Sequence, residues 1–177
     1  MKKNELSDIL IIDTETTGLA NSDEILQLSI IDGNENIILD RFYKPSYHTS
    51  WYYAQKINHI SPEMVANKPS IETDAEEIKE IFASHSLVLG YNTKFDLRML
   101  ENNIEGFKDL EIKFEDVHNL YRKCENLKKI PQLEKHDLTS VSTTLGFKLA
   151  ENDFMHNSLT DVKATLFIFK KIIEFLE

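Results

Sequence analysis

Two carboxylates separated by one residue follow an apolar run near the start of the sequence. Asp13 and Glu15 come after residues 9–12, a run rich in β-branched residues that predicts a buried central strand. Side chains two apart on a strand point to the same side, so these carboxylates converge. They would repel one another unless a proton or a cation lay between them, and their oxygens suit Mg²⁺ or Mn²⁺. The alternative is a polar strand end at which Asp13 begins a turn.

A third acid, Asp96, follows a second apolar run. Residues 87–90 predict another buried strand, and Asn92 is a residue type that caps helices. A helix that begins there would carry Asp96 in its first turns. The helix dipole alone also favours an acid at that position, so Asp96 by itself indicates no particular chemistry.

A histidine and a fourth acid stand at the start of the last predicted helix. Ser158 and Asp161 have the spacing of a capping box, which is the alternative explanation for this acid. His156 precedes the helix, and from a loop it would project into a cleft. A histidine beside carboxylates suits a general base, because its pKa is near neutrality.

The order of these motifs resembles that of the DEDDh 3′→5′ exonuclease family. This family includes the proofreading subunits of bacterial DNA polymerases, oligoribonuclease and ribonuclease T. The resemblance runs from about residue 9 to residue 169, and the segment Ile57-Asn58-His59-Ile60 also falls where the family has a matching feature. Tyr91 departs from the family, since many members have histidine before the asparagine, but this position supplies no ligand.

The resemblance implies both a fold and a set of site residues. The fold is α/β and ribonuclease H-like: a mixed five-stranded sheet flanked by helices, with the first strand central and the second antiparallel to it. Two divalent ions, Mg²⁺ or Mn²⁺, would be held by four carboxylates while His156 activates the attacking water. These carboxylates are Asp13, Glu15, Asp96 and Asp161. The terminal nucleotide would be held by Thr14, Thr16, Gly18, Leu19, Asn58 and Phe95. The implied product is a nucleoside 5′-monophosphate, released from the 3′ end.

Two other classes of protein fit parts of the pattern. Haloacid-dehalogenase-type phosphatases also begin with an apolar strand and an acidic pair, but they carry aspartate where this chain has Glu15. They also have a later Gly-Asp-x-x-x-Asp pattern, which this sequence lacks. A non-catalytic binding module on the same fold would be expected to lose a ligand or the histidine, and all five residues are present. Among nucleases, DNA proofreading, DNA repair and short-RNA degradation by an oligoribonuclease all stay open.

The elements that must position these motifs indicate one layered α/β domain over residues 1–177. Leu26, Leu28 and Ile30 alternate with polar residues, as on a half-buried strand, and Asp32-Gly33-Asn34 predicts a hairpin turn. The other predicted elements are a strand over 37–43, a connection with short helices over 44–70, a helix over 71–82, a weaker strand over 112–117, and helices near 117–126, 137–146 and 159–176.

Composition limits the partners and the location of the protein. The formal net charge is −10 and Lys and Arg form no dense run, which counts against a broad basic surface for long nucleic acid. The expected partner is therefore the 3′ end of a single-stranded or frayed nucleic acid, with a DNA polymerase as a further candidate and no membrane. No apolar run has membrane-spanning length, no signal-peptide pattern is present, and Cys124 is the single cysteine. These features predict a cytoplasmic protein.

Overall fold

The sheet seen in the computed structural model has the predicted topology. The structure describes residues 6–151 and 153–176. The strands are β1 (Ile9–Thr16), β2 (Ile25–Asp32), β3 (Ile37–Phe42), β4 (Leu87–Gly90) and β5 (Phe114–Asp116). In the order β3-β2-β1-β4-β5, β1 is central, antiparallel to β2 and parallel to β4. The prediction of a mixed five-stranded, ribonuclease H-like sheet is therefore confirmed.

Helices cover both faces of this sheet. They are α1 (Tyr52–Asn58), α2 (Pro62–Val65), α3 (Ala75–Ala83), α4 (Thr93–Asn103), α5 (Val117–Asn126), α6 (Leu138–Thr144) and α7 (Ser158–Leu176). Alternate residues of β1 enter two separate cores: Leu10 and Ile12 pack with α3 and α4, whereas Ile9 and Ile11 pack with α5, α6 and α7. Burial on both faces explains why β1 begins as a continuous apolar run.

Strand β2 differs from the half-buried strand that its alternation predicts. All eight of its residues are buried, and even Gln27 and Ser29 are 1% and 0% exposed. The polar face is covered because both side chains find hydrogen-bond partners: each donates to Asp40 of β3, at 3.0 and 2.8 Å. The hairpin after β2 is confirmed, since the Asp32 carboxylate accepts from the amides of Asn34 and Asn36.

Other predicted elements hold with adjusted boundaries. The predicted helix over 71–82 begins as a 3₁₀ turn, Ile71–Asp74, and continues as α3, and the weak strand shortens to β5. Asn92 occupies the position before α4 but does not cap it through its side chain; its left-handed backbone (φ 71°) turns the chain into the helix instead. Among the described residues, no helix is both long and apolar enough to cross a membrane.

Candidate active site

Asp13 and Glu15 both lie within β1 and point to the same side of the sheet, as their spacing predicts. In the antiparallel pairing with β2, Asp13 lies opposite Ser29 and Glu15 lies opposite Gln27. Residues directly opposite one another on paired strands face the same side of the sheet. The two acids therefore share a face with the two buried polar residues of β2.

These polar residues of β2 contact the start of α7. The hydroxyl oxygens of Ser29 and Ser158 are 2.6 Å apart, and the Asn157 side-chain amide donates to Oε1 of the Gln27 side chain at 3.4 Å. The helix α7 begins at Ser158, and the hydroxyl of this residue is in contact with Ser29 of β2. The contacts place Asp161, on the first turn of α7, over the acidic face of β1. The buried polar pair on β2 is the element of this arrangement that the sequence analysis missed.

Three carboxylates meet at this point. One oxygen from each of Asp13, Glu15 and Asp161 lies within 4.8 Å of the others. Hard divalent ions take oxygen ligands at about 2.0–2.6 Å, so oxygens this close can share one ion. Because the three groups are acids without a basic residue among them, their donor set fits a cation.

Asp96 is not one of the three carboxylates that meet, but it lies close to them through its contact with β1. Strand β4 pairs with β1 only as far as Ile11, so the amide of Thr14 is available beyond the end of that pairing. The Thr14 amide and hydroxyl both donate to Asp96 Oδ1, at 2.9 and 2.8 Å. Asp96 is buried, and its charge acts on Asp13. Its position thus depends on a specific contact with β1, which the helix dipole alone would not produce.

Burial raises the pKa values of all four acids, and repulsion by the neighbouring carboxylates of the site adds to this effect at Asp13 and Glu15. The pKa of Asp13 lies well above its usual value, through burial first and then the charges of Asp96, Asp161 and Glu15. Burial and the charge of Asp161 raise the pKa of Glu15 to about 8, against a lowering by the Asn58 side chain. Burial raises the pKa of Asp96 and that of Asp161 to about 7, although both accept hydrogen bonds. Near neutral pH the cluster favours bound protons or a cation.

His156 lies on the exposed loop before α7, as predicted. Its backbone has φ 65°, and its amide donates to both oxygens of Asp161, at 3.3 and 3.2 Å. The loop backbone is therefore in direct contact with the carboxylate cluster. The role of the imidazole as a general base stays a prediction.

An apolar cavity of about 630 Å³ adjoins the cluster. Four of the predicted nucleotide-binding residues line it beside Glu15: Thr16, Gly18, Leu19 and Asn58. Asn58 is buried and donates to the carbonyl of Thr16 at 3.3 Å, which holds the end of α1 against β1. Leu19 is 78% exposed, on a loop that Arg98 holds through the Leu19 carbonyl and the Asn21 side chain.

The other two predicted binding residues lie elsewhere. Thr14 is buried against Asp96, and Phe95 packs against the core and beneath the Arg98 guanidinium. Neither is among the residues that line the cavity. Its far wall is formed instead by aromatic and aliphatic side chains of α1 and the residues before it: Trp51, Tyr52, Tyr53 and Ile57. In the sequence, the aromatic run at residues 51–53 could have indicated this wall. It was not recognised because it lies within the segment predicted to be a connection with short helices.

The sheet topology and the carboxylate cluster together define a ribonuclease H-like α/β protein with an acidic centre. A sequence profile of the RNase T family, described as exonuclease, matches residues 10–169. The chain therefore belongs to this exonuclease family. The family supports a nuclease activity and the use of divalent metal by the acidic cluster.

Known proteins share part of this sequence or this fold. The chain is 27% identical over 170 residues to the PolC-type DNA polymerase III of Staphylococcus aureus, covering 93% of this chain but only 11% of that protein. The fold matches Escherichia coli exonuclease I in complex with single-stranded DNA, with a TM-score of 0.78 and 22% identity over 96% of this chain and 40% of that one. It also matches exonuclease X in complex with 5′-overhanging duplex DNA, with a TM-score of 0.65 and 23% identity over 94% of this chain and 91% of that one.

Proposed function

We propose that this chain is a metal-dependent 3′→5′ exonuclease that releases nucleoside 5′-monophosphates from DNA or RNA. The observation that carries the proposal is the meeting of Asp13, Glu15 and Asp161 within 4.8 Å, beside a cavity that Glu15 also lines. Carboxylates with raised pKa values in a cleft are the groups expected at a catalytic centre. The match to the exonuclease family supports the reaction class.

Each polar group would have a separate task in the reaction. Asp13, Glu15, Asp96 and Asp161 would hold two divalent ions, Mg²⁺ or Mn²⁺. When bound, these ions would stabilise the attacking and leaving oxygens of an in-line displacement at phosphorus. The His156 imidazole would accept a proton from the attacking water.

Thr14 would act indirectly in this scheme. Through two hydrogen bonds to one oxygen of Asp96, it fixes the orientation of that carboxylate. We assign Thr14 to this role in addition to the nucleotide contact that the resemblance implies.

The terminal nucleotide would occupy the 630 Å³ cavity. Its apolar wall suits a base and sugar, while the acidic cluster lies at the end where the scissile phosphate must be. Thr16, Gly18, Leu19 and Asn58 line the cavity, as the resemblance predicts. Tyr52 and Tyr53 are exposed along the same wall and offer rings on which a base could stack.

A single-stranded or frayed DNA 3′ end is the substrate that we favour. Exonuclease I and exonuclease X, which share the fold, are seen with single-stranded DNA and with overhanging duplex DNA. The similarity to a PolC-type polymerase III supports a proofreading role beside a polymerase, although the chain spans about a tenth of that protein. Short RNA is the alternative substrate. A single domain over 1–177 and a cytoplasmic location also remain proposals.

The test is cleavage of matched end-labelled DNA and RNA oligonucleotides with Mg²⁺, Mn²⁺ or chelator. We expect mononucleotide release with either metal and none with chelator. A terminal 3′-phosphate should suppress digestion, whereas a blocked 5′ end should not. Cutting of a circular single strand, or digestion that continues in chelator, would contradict the proposal.

A further inference from the structure

We propose that His59 is a positioning residue, which holds the loop that carries His156 against the carboxylate cluster by packing on Phe154. This inference rests on the proposed function for its catalytic consequence. Its structural consequence, restraint of the loop, is measurable without any reaction.

The backbone of His59 is the first observation. His59 follows α1 in the left-handed conformation, with φ 60° and ψ 13°. Its amide donates to the Gln55 carbonyl at 2.9 Å and so completes the end of the helix. Glycine adopts this conformation without steric cost and is the usual residue at such a helix end. A histidine here disfavours the local backbone, which indicates that its side chain has a use elsewhere.

The side chain of His59 contacts the loop before α7. Its ring centroid is 5.5 Å from that of Phe154, with an interplanar angle of 74°, the edge-to-face arrangement that aromatic rings prefer. His59 is exposed and Phe154 is 42% exposed, so the pair does not belong to either core of the molecule. Its effect is to join the end of α1 to the loop before α7.

Each of the two ring residues is close in sequence to a residue that hydrogen-bonds to β1 or to Asp161. Next to His59, the buried Asn58 side chain donates to the carbonyl of Thr16 on β1. Two residues after Phe154, the amide of His156 donates to the Asp161 carboxylate. The ring pair therefore closes a connection from β1 to the loop that carries the imidazole.

His156 depends on such a restraint because it is itself exposed. After His156, the loop is held by the contacts of Asn157 and Ser158 with β2. Before it, the packing of Phe154 on His59 holds the loop from the other side. A general base acts only within hydrogen-bond reach of its proton, so small displacements of the loop would reduce turnover.

Replacement of His59 by glycine gives an unusually clean test. His59→Gly removes the ring while keeping a residue that tolerates the left-handed backbone, so the fold should be retained. We expect kcat to fall about tenfold or more with KM little changed. Phe154→Ala should have the same effect, the double variant should be no worse than either single variant, and Phe154→Tyr should retain activity. In a His156→Ala background, His59→Gly should have no further effect.

Lys128→Gly is the matched control. Lys128 is another exposed residue with positive φ, in the turn after α5, and its replacement should change none of these values. A rise in KM with unchanged kcat for His59→Gly would show that the ring contacts substrate instead, which would overturn the positioning role.

Amide hydrogen exchange separates this inference from the proposed function. In His59→Gly and in Phe154→Ala, the His156 amide should exchange several-fold faster, while amides in the middle of α7 should not change. Unchanged exchange at His156 in both variants would overturn the inference, whether or not the protein cleaves nucleic acid. Faster exchange in a protein that shows no nuclease activity would retain the restraint and reject the proposed function.

Discussion

Two buried acids of this protein, Glu125 and Asp161, differ in the groups that surround their carboxylate oxygens. Glu125 on α5 is 5% exposed; it accepts from the Leu133 amide at 2.6 Å and lies 2.8 Å from His136 Nε2. Burial acts to raise the pKa of Glu125, but these contacts outweigh it and the pKa is lowered. Asp161 is almost as buried, at 6%, and burial raises its pKa to about 7 against a hydrogen bond from the His156 amide; its other neighbours are the carboxylates of Asp13 and Glu15. Burial alone therefore does not mark a catalytic acid.

Glu24 behaves like Glu125. Its oxygens accept from the amides of Ser46, Tyr47 and His48, and the ring of His48 lies 2.8 Å away. Despite the opposing effect of burial, the pKa of Glu24 is lowered. Both glutamates join loops to the fold, whereas the acids over β1 oppose one another and call for a cation. This contrast separates structural acids from the candidate metal ligands.

The largest expected effect is that of Asp13→Asn. The substitution keeps the shape but removes one of the converging charges, so cleavage should fall at least about a thousandfold, which corresponds to about 4 kcal/mol of lost transition-state stabilisation. Its free energy of unfolding in chelator should be unchanged or higher, because a buried repulsion is relieved. Turnover and urea unfolding should be measured on the same preparation.

Glu125→Gln is the matched control for this substitution, and its effects should be the reverse. It should keep cleavage near that of the unmodified protein and lower the free energy of unfolding by about 1–3 kcal/mol, because hydrogen bonds to a charged acceptor are weakened. A folded Asp13→Asn protein with near-normal turnover would show that Asp13 is not part of the active site.

The second effect is that of His156→Ala. Loss of a positioned general base should lower kcat by about 10²–10⁴-fold. Affinity for Mn²⁺ should change little, because the candidate ligands are carboxylates and the amide of residue 156 still donates to Asp161. Isothermal titration calorimetry tests this separation. If metal binding disappears with the imidazole, His156 is a ligand and its assigned role is wrong.

The fold and the acids were more predictable from the sequence than the contacts between them. Asp13 and Glu15 were correctly placed on one face because a strand repeats every two residues. The sequence could not reveal that Ser29 would bind Ser158, because such a contact depends on tertiary packing of distant segments. For the same reason, the sequence could not show that Thr14 would hydrogen-bond to Asp96, 82 residues further along the chain. Local patterns specify elements, while the partners of buried polar groups follow only from their assembly.

The third effect is a dependence of stability on pH and metal. The pKa values of Glu15, Asp96 and Asp161 are raised to about 8, 7 and 7. Between their unfolded pKa values, near 4, and these folded values, the native state binds more protons than the unfolded state. In chelator, the stability contributed by the cluster should therefore be present at low pH and lost as pH rises towards about 8.

Bound metal should reverse that loss. At a metal concentration about 100 times the dissociation constant, the free energy of unfolding should rise by about 2.7 kcal/mol. This rise should be larger at about pH 8 than at about pH 5.5, because protons compete with the metal for the carboxylates at the lower pH. Urea unfolding at both pH values, with Mn²⁺ or chelator, measures this difference. Asp13→Asn should reduce it and Glu125→Gln should not. Equal stabilisation by metal at the two pH values would show that the ion binds elsewhere.

The smallest expected effect concerns how substrate length and salt alter cleavage. The protein carries a net charge of −10, so it has few cations with which to bind the phosphates of a long strand. Binding should depend on the metals and on the cavity, where stacking on a ring such as that of Tyr53 could add about 1–3 kcal/mol per base. The value of kcat/KM should therefore level off after a few nucleotides.

The dependence of kcat/KM on salt should also be shallow, because few counterions are released when few phosphates are contacted. Single strands of increasing length, each assayed at two salt concentrations, provide the measurement. Tyr53→Ala should lower kcat/KM for every length by a similar factor, because stacking at the terminal bases does not depend on how far the strand continues. A steep rise with length that moderate salt abolishes would instead reveal a basic track along the surface. The structural acids would then lie away from that track, and binding of the strand would no longer depend mainly on the acidic centre.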